Sequence, residues 1–213
     1  MRLLINLLSK VKVISKLVQK YHQALNLLKV IQLHRMPFEI KDTKISDVKF
    51  VNSKKFDDDR GFFEELYRNE IFNSLGIKNK FYQINLSFSK KNVFRGFHFQ
   101  LNPKPQGKLV TVISGEIIDY AIDLRKKSIF YKNNVNYKLT NGKMIFMPKG
   151  FAHGFLALKD SYVLYLTTNE FDKNLDSGIK YDDKELNIEL PDNIIVSEKD
   201  RNLKYLNELN LDF

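Results

Sequence analysis

Four short runs, Lys108 to Ser114, Ile117 to Leu124, Lys143 to Met147 and Tyr162 to Thr168, are rich in β-branched and aromatic residues and follow one another closely. Strands of this length, separated by turn signals, predict an all-β sandwich or barrel. Ser114-Gly115 and Asn141-Gly142 supply turns at which a positive φ costs little. The same reasoning predicts one helix over Glu64 to Leu75, closed by Gly76 as its C-cap. There is no internal repeat and no glycine-rich phosphate loop. A chain of 213 residues with 43% apolar and 13% aromatic content can bury one good core.

The formal net charge of +10 points first to a polyanionic partner. Its distribution argues otherwise. Arg2, Lys10, Lys12, Lys16, Lys20, Lys29 and Arg35 stand in a segment without one acidic residue, so +7 lies within residues 1–35 and only +3 beyond them. In that segment Leu3, Leu4, Leu7, Leu8, Val11, Ile14, Leu17 and Val18 recur at helical spacing, which predicts a basic amphipathic helix. Lysines interrupt every window, so neither a membrane span nor a signal peptide is expected. Three readings stand: a surface or partner-packing helix, a basic helix at a membrane interface, or translation upstream of a true start at Met36-Pro37. The expected division is therefore an extension over 1–35 and one domain over 36–213. The chain contains no cysteine, which excludes disulfides and thiolate metal sites and agrees with a cytoplasmic location.

Two of the four histidines, His22 and His34, fall in the extension, leaving His98 and His153 to carry chemistry. In Phe97-His98-Phe99, strand alternation turns the imidazole away from both phenylalanines and toward the face of Gly96 and Gln100. His153 follows Pro148-Lys149-Gly150-Phe151-Ala152, a turn able to aim a second ring into the same barrel mouth. From the residues alone, a hydrogen-bonded core histidine is the lesser alternative for each.

Several further stretches carry a family pattern: Asp59-Arg60-Gly61-Phe62-Phe63-Glu64, Arg95 to Gln100, Pro105-Gln106-Gly107-Lys108-Leu109-Val110, Gly115-Glu116, Asp123-Leu124-Arg125, Pro148 to Phe155, and Ser197-Glu198-Lys199-Asp200. Across residues 40–205 the chain resembles the dTDP-4-dehydrorhamnose 3,5-epimerases. The resemblance implies a double-stranded β-helix, the cupin or jelly-roll fold, with a few short helices. It also implies a dTDP-linked 4-keto-6-deoxyhexose as substrate, inversion at C3 and C5, and no cofactor. Protons next to a ketone are acidic because the carbanion becomes an enolate, so a base on one face and an acid on the other can invert the centre.

In that resemblance His98 matches the base and Asp200 the carboxylate that orients it. Such a carboxylate fixes the tautomer and stabilises the imidazolium that forms. Lys108 matches the cation beside the C4 oxygen. Tyr165, twelve residues beyond His153, matches the proton donor on the opposite face. Arg60 and Arg95 match contacts to pyrophosphate or sugar, where guanidinium forks suit phosphate oxygens. Phe56, Glu65, Gln83, Asn85 and His153 match further substrate-lining positions. Phe56-like and Arg60-like residues reach across a dimer interface in the family, which implies a homodimer with composite sites. There are two departures: Phe171 lacks the hydroxyl common at the base-stacking position, and Ile84 stands where a polar residue is frequent.

Other readings compete with this one. A C3-only epimerase would use the same residues. A metal-dependent cupin generally carries a His-x-His pair, and here the run reads His98-Phe99-Gln100, so no metal is expected. A non-catalytic sugar-nucleotide binder would have lost some of His98, Lys108, Tyr165 and Asp200, and all four are present. Nucleic-acid binding rests on charge alone, and most of that charge sits in the extension.

Overall fold

A computed structural model of the chain describes residues 15–16, 18–23 and 36–213. Residues 15–16 and 18–23 are helical and exposed; the rest of the helix expected within 1–35 lies outside the described residues. By its contacts the chain divides into two units, Met1–Pro37 and Phe38–Phe213. No helix among the described residues is long and apolar enough to cross a membrane.

The second unit contains two large sheets and one hairpin. In chain order the strands are β1 (Phe38–Asp42), β2 (Lys49–Ser53), β3 (Lys55–Asp58), β4 (Gly61–Glu64), β5 (Gln83–Ser89), β6 (Phe94–Gln100) and β7 (Lys108–Ser114). They continue with β8 (Glu116–Asp123), β9 (Asn134–Thr140), β10 (Lys143–Met147), β11 (Phe151–Ala157), β12 (Ser161–Thr167) and β13 (Asp176–Gly178). One sheet has the order β1-β2-β10-β7-β12-β5, the other β13-β6-β11-β8-β9, and β3 pairs with β4 alone. From β5 to β13 the chain crosses between the sheets at every connection except the β8–β9 hairpin. This alternation winds the double-stranded β-helix, and all-β is the class expected from the four β-rich runs.

Period-two alternation decides what each strand buries. Val110, Val112, Ile145 and Val163 of the six-stranded sheet cluster with Ala121, Leu139, Phe151 and Phe155 of the five-stranded sheet to fill one half of the interior. The outer faces are covered separately. Phe72 joins Val51, Leu109, Met144 and Leu166 against the first sheet. Ile179, Leu186, Val196, Leu206 and Leu211 from the C-terminal wrap lie against Phe94, Phe97, Phe99 and Ile122 of the second. With both faces of the central strands occupied, side chains at the open end of the sandwich are held in place by packing.

The predicted helix over Glu64 to Leu75 is corrected to Asn69–Ser74. Pairing claims only Glu64, whose carboxylate accepts the Ser53 hydroxyl and which ends the strand Gly61–Glu64 against Lys55–Asp58; residues 65–68 are neither strand nor helix, and Arg68 is in extended backbone at the N-cap. The end is as expected. Gly76, at φ 92°, donates to Asn73 C=O at 3.1 Å, and Ile77 N–H donates to Phe72 C=O at 2.9 Å, a Schellman closure.

Candidate active site

The inner residues of the two sheets that are not apolar converge on one cavity of about 410 Å³. On the six-stranded sheet the register aligns Lys108, Thr167 and Gln83 in one row and Val110, Tyr165 and Asn85 in the next. On the facing sheet His98 is paired with His153. His98 and Tyr165 thus stand on opposite walls.

A β-bulge shapes the His98 wall. Strand β11 advances two residues from His153 to Phe155 while β6 covers three from His98 to Arg95. The extra residue is accommodated at Gly96, whose φ is 134° and where a Cβ would lie 2.4 Å from the Gly154 Cα. Only glycine meets both requirements. Simple alternation placed Gly96 beside His98. The bulge corrects this, since Arg95 takes that face instead and lines the cavity with His98 and Gln100.

His98 Nε2 lies 2.7 Å from Asp200 Oδ1. Among the described residues no protein group bonds Nδ1, which leaves that nitrogen free to take a proton when Nε2 carries the hydrogen. Asp200 is itself fixed: Ser197 caps its short helix by accepting the Asp200 N–H at 3.1 Å, and Gly96 N–H points at Oδ2 at 3.4 Å. Burial raises the Asp200 carboxyl, but the hydrogen bonds from His98 and from the Gly96 and Ser197 groups outweigh it and hold it below its ordinary range. The carboxylate therefore remains ionised beside the imidazole.

Lys108 is 7% exposed, and its ammonium donates to His98 C=O at 3.2 Å. Burial pushes it down to about 8, against the opposing pull of the Asp119 and Asp176 carboxylates. Tyr165 is half-buried, and burial raises its phenol despite Arg95 nearby, so the hydroxyl keeps its proton. His153 pairs with Asp119, Nε2 to Oδ2 at 2.7 Å, both buried. Burial lowers His153 and raises Asp119, each against the attraction of the other. The second oxygen of Asp119 is buried without a hydrogen-bond partner among the described residues.

Known proteins share this sequence pattern and this fold. A family model described as dTDP-4-dehydrorhamnose 3,5-epimerase matches residues 42–208. A dTDP-4-dehydrorhamnose 3,5-epimerase of Methanothermobacter thermautotrophicus is 43% identical over 178 residues, covering 80% of this chain and 96% of its own. Its Escherichia coli counterpart is 40% identical over 173 residues, covering 78% and 94%. Among solved structures, a 3,5-epimerase of Legionella pneumophila in complex with dTDP-4-keto-L-rhamnose superposes with a TM-score of 0.78 at 36% identity. It covers 81% of this chain and 95% of that one. The Bacillus anthracis enzyme with TDP and pyrophosphate bound gives 0.77 at 40% identity, covering 79% and 99%. The chain belongs to the dTDP-4-dehydrorhamnose 3,5-epimerase family.

In this epimerase the cavity gathers His98, Lys108, Tyr165, Arg95, Gln83, Asn85, His153 and Phe171, with Asp200 behind His98. Three residues expected at the site are elsewhere. Phe56 lies on the β3–β4 hairpin, and Arg60 at its tip pairs with Asp58 with 89% of its side chain exposed. Glu65 pairs with Arg68. None of the three lines the cavity of its own chain. His153 comes from the interior of β11 rather than from the preceding turn. Ile84 points outward, 67% exposed, so this departure from the family pattern does not touch the cavity. Asp119, Asp176 and Lys199 were missed, the last two facing each other as an ion pair at the mouth. Asp119 had a legible signal, being the one acidic residue on the inward side between Ile117 and Ala121.

Proposed function

We propose that the cavity epimerises dTDP-4-keto-6-deoxy-D-glucose at C3 and C5 to dTDP-4-keto-L-rhamnose. The observation that carries the reading is the placement of His98 and Tyr165 on opposite sheets across one cavity, with the buried Lys108 ammonium beside the His98 strand. A base and an acid on opposite faces of a sugar ring are what inversion requires.

In each half of the reaction His98 Nδ1 takes the proton from the carbon next to the ketone. The C–H electron pair becomes the carbon–carbon double bond of the enolate, and negative charge moves to the C4 oxygen. Lys108 meets that charge; a preorganised donor of this kind is worth roughly 3 kcal/mol or more. Asp200 stabilises the imidazolium and fixes the ring. Tyr165 then delivers its proton to the same carbon from the other side, and solvent resets both groups. Arg95, tethered to Ser89 Oγ at 2.8 Å and Phe88 C=O at 3.0 Å, is held ready for the diphosphate. Phe171 supplies the flat apolar surface for the base.

The functional unit in this reading is a homodimer. The exposed Ile84, Leu86, Phe88 and Tyr162 form an apolar stripe on the outer face at the β5 edge of the sheet, which suits burial against a second copy. The hairpin carrying Phe56 and Arg60 then completes the partner's site. A nucleotide-sugar substrate and a cysteine-free chain agree with the cytoplasm.

The test is product analysis by NMR after incubation with the keto sugar. Inversion at both centres is the expected outcome. Inversion at C3 alone would reassign the enzyme to the monoepimerases, and an unchanged sugar would remove the substrate assignment.

A further inference from the structure

Most side chains on the cavity wall are polar or charged, and the apolar ones, Phe99, Phe155 and Phe171, stand in different places. Phe171 is 54% exposed at the mouth. The Phe99 ring turns to the outer face of its sheet, where it meets Phe213 edge-on at 5.8 Å among the residues of the C-terminal wrap. Among the described residues, only Phe155 sets an apolar side chain into the interior end. It is 4% exposed, on β11 two residues beyond His153, and the two rings lie 6.3 Å apart. Its cross-strand partners are Arg95 of β6 and Asp119 of β8. Val110 and Val163 of the facing sheet belong to the same buried cluster, and Tyr165 packs against it.

Polar groups near this end are already engaged. Arg95 donates through Nε to Ser89 Oγ and through Nη2 to Phe88 C=O, and the Ser87 hydroxyl donates to Val163 C=O at 3.5 Å. A sugar hydroxyl pressed against the Phe155 ring would therefore lose water and gain no partner. A 6-deoxyhexose has one apolar corner, its C6 methyl. Between C4 and C1 the ring runs one way through C5, which bears that methyl, and the other way through C3 and C2 with their hydroxyls. With Lys108 at the C4 oxygen and Arg95 at the C1 diphosphate, the two sides of the ring meet different walls. Phe155, on a central strand beside Arg95, suits the methyl side. Gln83 and Asn85, on the edge strand β5, offer hydrogen bonds to the other.

We propose that Phe155 is a specificity-determining residue for the sugar, its ring seating the C6 methyl and disfavouring sugars hydroxylated at C6. This rests on the reading of the cavity as the site of a 4-keto-6-deoxyhexose, and it adds which side chain selects the deoxy carbon.

The test uses dTDP-6-deoxyglucose, dTDP-glucose, which adds a hydroxyl at C6, and dTDP-xylose, which lacks C6. None has the C4 ketone, so calorimetric titration reads binding without turnover. The wild type should bind dTDP-6-deoxyglucose about tenfold tighter than either of the others, the usual worth of one methyl or one misplaced hydroxyl in an apolar pocket. Phe155→Ala should bring the three affinities within about threefold of one another and leave that for dTDP-xylose within about threefold of wild type, because only the contact to C6 is removed. Equal weakening toward all three would make Phe155 a packing residue and overturn the proposal. So would a wild type that binds dTDP-glucose as tightly as dTDP-6-deoxyglucose. Phe155→Leu, which keeps more of the core filled, carries the same comparison should Phe155→Ala fail to fold. A wild type that binds none of the three and leaves the keto sugar unchanged would instead remove the reading of the cavity, and the proposal with it.

Discussion

In the proposed mechanism Lys108 carries its charge when the C4 oxygen turns negative, and its burial makes that charge depend on pH. Because burial lowers the ammonium to about 8, the protonated, active form is lost as pH rises through that value. We expect the pH profile of kcat/KM, which reports the free enzyme, to fall on the alkaline side near pH 8. Asp119 opposes this loss, since its buried carboxylate favours the ammonium. Asp119→Asn should therefore move the alkaline limb to lower pH, and a limb that stays in place would separate Asp119 from Lys108. At this scale the sequence was informative wherever a motif or an alternation named the side chain. Phe97 and Phe99 flanking His98 told which way the imidazole points. Asp119 obeyed the same alternation and could have been found from Ile117 and Ala121. The bonds by which Gln83 Oε1 accepts the Phe171 N–H and Gln100 Oε1 the Asp172 N–H could not, because these partners are peptide groups 88 and 72 residues away.

At the scale of elements, the bulge in β6 governs which side chains reach the cavity. It brings Arg95 and His98, three residues apart, onto one face, where an unbroken strand would turn them to opposite sides. Gly96→Ala should destabilise the protein by about 3 kcal/mol or more, from the approach of the Gly154 backbone and the positive φ together. Thermal unfolding measures this, and a melting temperature equal to that of the wild type would contradict the account. The bulge leaves a mark in the apolar pattern, since Phe94 and Phe97, three residues apart, pack in one cluster with Phe99 where an unbroken strand would turn Phe94 to the other face. The strands over Lys108–Ser114 and Lys143–Met147 were legible to the residue, because their apolar runs end at turn residues. The helix was read too long at its start: Glu64 is taken by pairing with Lys55, a tertiary contact that local propensity does not register, and Arg68 stands in extended backbone just before the first helical turn.

For the whole molecule, the separation of Phe56 and Arg60 from their own chain's cavity makes a strong prediction about assembly. If each site borrows Arg60 from the partner, His98→Ala and Arg60→Ala chains are complementary. Refolded together in equal amounts, they should recover about a quarter of wild-type activity, from mixed dimers holding one intact site. Recovery no greater than the mean of the two variants alone would place Arg60 outside the site. The proposed dimer was legible in sequence only as an implication of the family resemblance. The stripe proposed to meet the second copy, Ile84, Leu86 and Phe88 alternating outward, is indistinguishable in sequence from a strand that buries both faces.

The central claim is that His98 removes the proton and Tyr165 returns one from the opposite wall, and incubation with dTDP-4-keto-6-deoxyglucose in deuterated water addresses it directly. The wild type should incorporate deuterium at C3 and C5 of the inverted product. His98→Ala should incorporate almost none, and Tyr165→Phe should exchange without completing the inversion. Equal incorporation by wild type and His98→Ala would contradict the account.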